Sequence, residues 1–334
     1  LASQEPGSDV GARRAVPELI NRFIRPFDLS QAPLLRVGLV RNDSGEKTSH
    51  LLVVDMHHII SDRVSLDVLQ KDFAAFDQGG ELAPLNLHYK DFAFWQDRQT
   101  REGEFASVEA FWLNEFAGEL PSLDLPIDYP RQEMRDLAGS AVEFSLGREL
   151  TGALKELALR EGVTMQIIML AILNVLFFKV CGQEDIIIGT PAAGRRHADL
   201  LDVIGLFVNT MALRNYPKAE KSFREFLREV GERSLSAYDN QDYPFDDLVG
   251  KVRQNRDRSR SPLFDVMFEI HTNLDEPDGK TGTKEERDTD EAASPSNNPG
   301  RDVTKMDIDW YGIESRRRID FIVFYSTRLF KRET

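Results

Sequence analysis

Two adjacent histidines and a following aspartate form the group of residues best suited to chemistry. His57 and His58 stand in the segment MHHIISDRVS, residues 56–65, and Asp62 follows four residues after the second histidine. Imidazole titrates near neutral pH, so a histidine can accept a proton or hold a nucleophile in place. The apolar run before the pair, residues 51–54, predicts a strand that ends at the histidines. His58 is therefore the candidate base.

Other interpretations of this segment are weaker. Neighbouring side chains of a strand point to opposite faces, so His57 and His58 cannot grip one zinc ion in strand geometry. A purely structural alternative makes both imidazoles hydrogen-bonded core residues. We assign Asp62 to orienting the loop through an ion pair with an arginine. GTPAAGRR, residues 189–196, lacks the lysine and spacing of a phosphate-binding loop, and no serine or cysteine lies in a nucleophile elbow. Neither ATP chemistry nor a covalent acyl-enzyme is expected.

An alternation of strand and helix patterns surrounds these residues and predicts an α/β fold. Residues 34–41 and 50–56 form a predicted hairpin, whose second strand is continuously apolar and therefore expected to be central and covered on both faces. A helical pattern follows over residues 64–76. The later predicted elements are two helices between residues 89 and 116, strands at 142–146, 186–190 and 319–325, and helices at 151–161 and 164–181. Residues 273–301 are almost entirely polar and are expected to form a mobile loop.

Composition excludes several classes of function. The 334 residues carry 42 Lys plus Arg against 56 Asp plus Glu, a formal charge of −14, which argues against a nucleic-acid-binding surface. The single Cys181 cannot form an internal disulfide, which favours a reducing compartment. No signal-peptide pattern opens the sequence, and the longest apolar run is too short to span a bilayer. We expect a cytoplasmic protein without a membrane partner.

Several motifs together resemble the condensation domains of nonribosomal peptide synthetases, relatives of chloramphenicol acetyltransferase. MHHIISDRVS resembles the family's HHxxxDG motif, and five further segments are similar to other family motifs in the family's order. These are FDLSQAPLLRVGLVR from Phe27, YKDFAFWQ from Tyr89, IGLFVNTMALR from Ile204, NQDYPFD from Asn240 and RDRSRSPLF from Arg256.

The resemblance implies an amide-forming acyltransferase of secondary-metabolite and antibiotic biosynthesis. Two acetyltransferase-like lobes, residues 1–105 and 106–334, would form a V around a tunnel entered by two 4'-phosphopantetheine arms. His58 would position or deprotonate the acceptor amine, with His57 and Asp62 supporting the loop. The tunnel and its loops would include Arg63, Ser65, Asn209 and Gln241.

The same resemblance implies the partners. Upstream and downstream peptidyl carrier proteins would deliver the substrates and an adenylation domain would be adjacent, with the domain monomeric within a larger chain. No dissociable cofactor and no metal would be needed.

The sequence departs from the family pattern at three points. Arg63 replaces the glycine of the histidine motif, where it is expected to plug the tunnel or distort the loop. The second departure is that the family's first two motifs, SxAQxRxW and RHxxLRT, are missing before His57. The third is that the sequence ends at Thr334, before the family's last strands and helices. We therefore expect an internal fragment of a larger synthetase. The arginine that pairs with Asp62 is expected in the missing part, which would leave Asp62 without a partner.

The sequence is compatible with two alternative functions. An epimerization domain shares the fold and the histidine motif but deprotonates the α-carbon of one tethered residue. A catalytically silent domain that only docks carrier proteins is favoured by Arg63 and by the missing amino-terminal motifs. The segments beginning at Ile204 and Asn240 fit condensation better than epimerization.

Overall fold

The computed structural model describes residues 19–20, 22–42, 49–252, 257–272 and 303–334. The strands are β1 Leu35–Asn42, β2 Ser49–Met56, β3 Gly139–Leu146, β4 Ile186–Ala192, β5 Asn209–Asn215, β6 Val266–Thr272, β7 Ile308–Glu314 and β8 Ile319–Ser326. The α-helices are α1 Arg63–Asp77, α2 Tyr89–Glu102, α3 Ala106–Glu115, α4 Arg148–Glu161, α5 Met165–Cys181, α6 Phe223–Asp239 and α7 Phe245–Val252. Short 3-10 turns cover His58–Ile60 and Ala198–Leu200.

The predicted mixture of helices and sheet is confirmed, and so are the individual strands and helices predicted from apolar periodicity. The expected loop at residues 273–301 lies outside the described residues. The chain divides into two compact units, the first comprising Leu1–Arg98 with Arg195–Val208 and the second Gln99–Gly194 with Asn209–Thr334. The assignment of residues 1–105 and 106–334 to two acetyltransferase-like lobes stays a prediction.

The first unit contains the β1/β2 hairpin and the helix α1. The strands pair antiparallel, with Arg36 directly opposite Asp55, and form a sheet of two strands among the described residues. The expectation of a central β2 covered on both faces is wrong in this part of the chain, because Leu51, Leu52 and Val54 each keep more than a third of their surface exposed. An apolar run specifies residues that can be buried, but it does not supply the layers that bury them.

The second unit contains a six-stranded sheet in the order β3-β8-β7-β6-β4-β5. The pairs β4/β6 and β6/β7 are parallel, while the other neighbouring strands are antiparallel. The predicted central position of the strand at 186–190 is confirmed, since β4 lies between β6 and β5 and is almost entirely buried.

The apolar helix α5 is the centre of this unit's core. Ile168, Leu170 and Ala171 have no exposed surface, and the helix packs in one cluster with β4, β5, β6 and α6. The side chain of Thr164 caps the start of α5 by accepting a hydrogen bond from the amide of Ile167. The sequence of α5 is apolar on every side, as is typical of a core helix, and burial is most complete over its amino-terminal half, whereas Leu176 and Val180 near its end are exposed.

No single helix among the described residues is long and apolar enough to cross a membrane. The pair α4 and α5 reaches that length and composition only together, with a bend of 106° between them.

Candidate functional site

The histidine loop begins where β2 ends at Met56. His57 has an extended backbone and caps the 3-10 turn His58–Ile60, its ring Nδ1 accepting a hydrogen bond from the amide of Ile59 at 3.1 Å. Because Nδ1 accepts this bond, the proton of a neutral His57 ring is on Nε2. The first histidine therefore fixes the turn on which the second one stands.

His58 is held in one tautomer by its own turn. Its ring Nδ1 lies 2.6 Å from the carbonyl oxygen of Ser61. A carbonyl oxygen only accepts hydrogen bonds, so Nδ1 carries the proton and Nε2 keeps a free lone pair in the neutral ring. The side chain of His58 is exposed to solvent. This orientation is suited to accepting a proton at Nε2.

Asp62 is the buried anchor of the loop. It caps α1, its Oδ1 accepting from the amide of Ser65 at 2.8 Å, and its Oδ2 accepts from the amide of Phe207 at 3.0 Å. Burial raises the pKa of Asp62, but the hydrogen bonds from Ser65, Phe207 and Arg195 together outweigh burial and hold the pKa below its usual value. Asp62 therefore remains ionised at neutral pH, although its side chain is only 3% exposed.

The arginine partner of Asp62 is Arg195. Its Nη2 lies 2.9 Å from Asp62 Oδ1, and its Nη1 donates to the carbonyl oxygens of Leu200 at 2.5 Å and Val203 at 2.6 Å. The guanidinium carbon also stacks 4.0 Å from the ring centroid of Phe207. The expectation that the partner lay outside this chain is wrong.

Arg195 belongs to the segment GTPAAGRR, residues 189–196, which lacks the lysine and spacing of a phosphate-binding loop and carries no other motif. The ion pair spans 133 positions of the sequence, and no local pattern marks such a partner.

Ser65 completes the buried network. Its hydroxyl accepts hydrogen bonds from the amide of Gly205 at 3.0 Å and from Arg195 Nη2 at 2.9 Å. The single hydroxyl proton has two acceptors within reach, Asp62 Oδ1 at 2.7 Å and the Gly205 carbonyl at 2.8 Å. Ser65 has no exposed surface, so its role is to join the loop to the segment Arg195–Val208.

Gly205 is required at its position by close packing. A Cβ atom there would lie 2.1 Å from Cδ2 of Tyr89. The hydroxyl of Tyr89 donates to the carbonyl of Leu206 at 3.0 Å, and its ring contacts Phe207 edge-on with centroids 5.2 Å apart. Residues from the segments at Tyr89 and Ile204 therefore meet beside the histidine loop, a convergence that the motif order does not reveal.

Arg63 does not distort the loop. It is the first residue of α1, and no non-glycine residue of the described chain has a positive φ. Its side chain is 63% exposed and its Nη2 lies 3.6 Å from Asp67 Oδ1, one helical turn away. The expected distortion of the loop is wrong, because Arg63 has the ordinary backbone conformation of the first position of a helix. The alternative expectation, that Arg63 plugs the tunnel, stays a prediction.

Asn209 and Gln241 lie in the second unit and make structural hydrogen bonds. Asn209 Nδ2 donates to the carbonyls of Gln241 at 2.8 Å and Tyr243 at 2.7 Å, while its Oδ1 accepts from the amide of Phe245 at 3.2 Å. Gln241 Nε2 donates to the carbonyl of Tyr238 at 2.7 Å. Asn209 therefore fastens the turn that leads into α7. Their place beside substrate stays a prediction.

The chain belongs to the condensation-domain family. The family model described as "Condensation domain" matches residues 7–334. Among curated proteins, the chain is 44% identical over 317 residues to tyrocidine synthase 3 from Brevibacillus parabrevis, covering 95% of this chain and 5% of that protein. It is 44% identical over 324 residues to bacitracin synthase 3 from Bacillus licheniformis, covering 96% of this chain and 5% of that protein. The chain thus spans a small part of the peptide synthetases that it resembles.

Solved structures confirm the fold. The crystal structure of the X-domain from teicoplanin biosynthesis matches with a TM-score of 0.78 and 24% identity, over 96% of this chain and 73% of that one. At this identity the likeness carries the fold alone.

Proposed function

We propose that this chain catalyses amide-bond formation between two carrier-bound substrates. The donor is an acyl or peptidyl thioester and the acceptor is the amine of an aminoacyl thioester. The observation that carries this proposal is the state of His58 in a condensation-family motif, with Nδ1 donating to the carbonyl of Ser61, which leaves Nε2 as the proton acceptor of an exposed residue.

The chemistry requires one proton acceptor and no covalent intermediate on the protein. The acceptor amine attacks the donor thioester carbonyl, the new C–N bond forms and the C–S bond breaks. His58 Nε2 holds the attacking amine and takes its surplus proton, which then returns to the departing thiolate. A neutral imidazole is in the right state to start this cycle because Nδ1 already carries the ring proton.

The residues around His58 supply rigidity rather than chemistry. Asp62, Ser65 and Arg195 form a buried charged network, whose hydrogen bonds tie the histidine loop to the segment Arg195–Val208. His57 fixes the turn through the Ile59 amide. A misplacement of about 1 Å can lower a rate by about 100-fold, so this support is part of the catalytic design.

The partners and location follow from the same proposal. The substrates arrive on the 4'-phosphopantetheine arms of upstream and downstream carrier proteins, and the domain binds no dissociable cofactor or metal of its own. It works as a single copy inside a longer cytoplasmic synthetase, beside an adenylation domain. The lone Cys181 is compatible with a reducing compartment.

A reconstituted condensation assay tests the proposal. The intact synthetase polypeptide that contains this chain is combined with donor-loaded and acceptor-loaded carrier proteins, and the tethered products are identified by mass spectrometry. We expect amide product from the wild type and a loss of at least 100-fold in the rate of His58→Ala. This variant should fold and lose only about 0.5–1.5 kcal/mol of stability, because His58 is exposed but its hydrogen bond to Ser61 is removed. His88→Ala is the matched control, since His88 is an exposed histidine of the same unit.

Three outcomes would overturn the proposal. Near-full turnover by His58→Ala removes His58 from the mechanism. If the wild-type protein binds loaded carriers but forms no amide, it is a docking domain. If it instead inverts the α-carbon of one tethered residue, it is an epimerization domain.

A further inference from the structure

The Arg36 guanidinium makes more contacts than strand pairing alone requires. Its Nη1 lies 2.9 Å from Asp55 Oδ2, across the hairpin. The same guanidinium donates to the carbonyl oxygens of Arg25 at 2.7 Å and Pro26 at 2.9 Å. The Arg36 and Asp55 side chains are only 18% and 15% exposed. Arg36 therefore fastens the chain at residues 25–26 to the β1/β2 sheet.

Phe27 is held between this guanidinium and the first histidine. The guanidinium carbon of Arg36 lies 3.7 Å from the Phe27 ring centroid, which is a cation–π contact. The Phe27 ring meets the His57 ring edge-on, with centroids 6.1 Å apart and an interplanar angle of 82°. This is the edge-to-face geometry that aromatic rings prefer. One chain of contacts therefore runs from Arg36 through Phe27 to His57.

The contacts of His57 carry that chain to the loop. The His57 amide donates to the carbonyl of Leu34 at 3.1 Å, so the backbone is tied to the strand that carries Arg36. The ring is tied to the Ile59 amide at 3.1 Å. Rotation of the His57 ring would release that amide and loosen the turn that presents His58.

We propose that Arg36 and Phe27 are positioning residues for the reaction at His58. Neither touches the reacting atoms. They hold the His57 ring so that its Nδ1 stays the acceptor for Ile59 and the turn keeps His58 Nδ1 on the Ser61 carbonyl. This inference rests on the proposed amide-forming function for its kinetic consequence, but its structural consequence is independent of that function.

The side-chain chemistry required at both positions is specific. A lysine at position 36 has no planar fork to reach Asp55 and two carbonyls while lying over a ring. A leucine at position 27 fills similar space but has neither a π-face for the guanidinium nor a polarised edge for His57. Tyrosine keeps both.

The experiment compares Phe27→Leu, Phe27→Tyr, Arg36→Met and the control Arg22→Met, which removes an exposed arginine from the same region. Condensation kinetics are measured with loaded carriers. The ring ¹⁵N chemical shifts of His57 and His58 are measured on histidine-labelled full chain, since these shifts report which ring nitrogen carries the proton.

We expect Phe27→Leu and Arg36→Met to lower kcat about 10- to 100-fold with KM changed less than about twofold. In both variants His57 should lose its single Nε2–H tautomer, while Phe27→Tyr and Arg22→Met should behave as the wild type. A purely structural role would lower thermal stability and leave the tautomers of the folded protein unchanged.

The outcomes separate this inference from the proposed function. Unchanged ¹⁵N shifts in both Phe27→Leu and Arg36→Met overturn it, whatever the kinetics. Shifts that change while kcat stays at the wild-type value also overturn it. If the wild type forms no amide, the proposed function fails. Altered ¹⁵N shifts of His57 and His58 in Phe27→Leu would then still support the chain of contacts from Arg36 through Phe27 to His57. Phe27→Leu decides the result if Arg36→Met does not fold.

Discussion

The Asp62 carboxylate and the Arg195 guanidinium form an ion pair of 2.9 Å whose side chains are 3% and 2% exposed. The pair joins the histidine loop to a segment 133 residues later in the chain. Each charge is also bonded to backbone groups, Asp62 to the amides of Ser65 and Phe207 and Arg195 to the carbonyls of Leu200 and Val203. A buried pair with this many partners is costly to break from one side.

Removing Arg195 should therefore destabilise the protein strongly. We expect Arg195→Met to lower the free energy of unfolding by about 3–5 kcal/mol, because it leaves Asp62 as an unpaired buried charge. The double variant Asp62→Asn with Arg195→Met should lose less than the sum of the single variants, since no unpaired charge remains. The free energies of unfolding of the two single variants and of the double variant are measured by denaturant unfolding. Arg22→Met, which removes an exposed arginine of the same unit, is the control, expected within about 0.5 kcal/mol of the wild type. Equal losses in Arg195→Met and Arg22→Met would contradict the role of the pair.

Restoring the family's glycine at position 63 should change little. Arg63 is exposed and lies in ordinary helical backbone, so Arg63→Gly should keep the condensation rate within about threefold. Its stability should fall by about 1 kcal/mol, since glycine weakens the first turn of α1 and the pair with Asp67 is lost. Parallel assays with loaded carriers, combined with thermal melts, make the comparison. Product from the glycine form alone would mean that arginine disables this domain.

Asp309 should make stability fall as pH rises through weakly acidic values. Burial, together with the negative charge of Glu269, raises the pKa of Asp309 to about 6, while Lys305 opposes the shift. The folded state therefore binds a proton that the unfolded state, with a pKa of about 3.9, has already released. Stability is fully present below that unfolded value and is lost between about pH 4 and pH 6.

Asp309→Asn removes this dependence. We expect the variant to be about 1–3 kcal/mol more stable than the wild type at pH 7.5 and equal to it at pH 4, as judged by urea unfolding at both pH values. In the variant Glu269→Gln, which keeps Asp309, the pH range over which stability is lost should lie lower than in the wild type, because the charge that helps to raise the pKa of Asp309 is removed. A stability difference between Asp309→Asn and the wild type that does not vary with pH would rule out the titration of Asp309 as its cause.

Two glycine substitutions should have opposite effects. Gly205→Ala places a Cβ 2.1 Å from Tyr89, so we expect a loss of about 1–3 kcal/mol together with a lower condensation rate as the Ile204 segment shifts. Gly152→Ala, in the exposed interior of α4 with nothing within 4 Å, should gain about 0.5–1 kcal/mol. Thermal melts of Gly205→Ala, Gly152→Ala and the wild type, measured side by side, test both expectations. A neutral Gly205→Ala would show that Tyr89 moves freely.

The amino-acid sequence alone was enough to single out the candidate site. His57, His58 and Asp62 lie next to one another, and the strand end before them follows from the apolar run at residues 51–54. The helices α4 and α5 and the strands β4 and β8 were also predictable, because the periodicity and the length of an apolar run are local properties of the sequence.

The partners of those residues were decided only by the tertiary structure. Arg195, Gly205 and Phe207 bond to Asp62 and Ser65 across more than a hundred positions, and Phe27 reaches His57 through a ring contact that no spacing encodes. The exposure of β2 was misjudged for the same reason. Local sequence sets what each residue can do, whereas burial and long-range pairing depend on which segments the whole fold brings together.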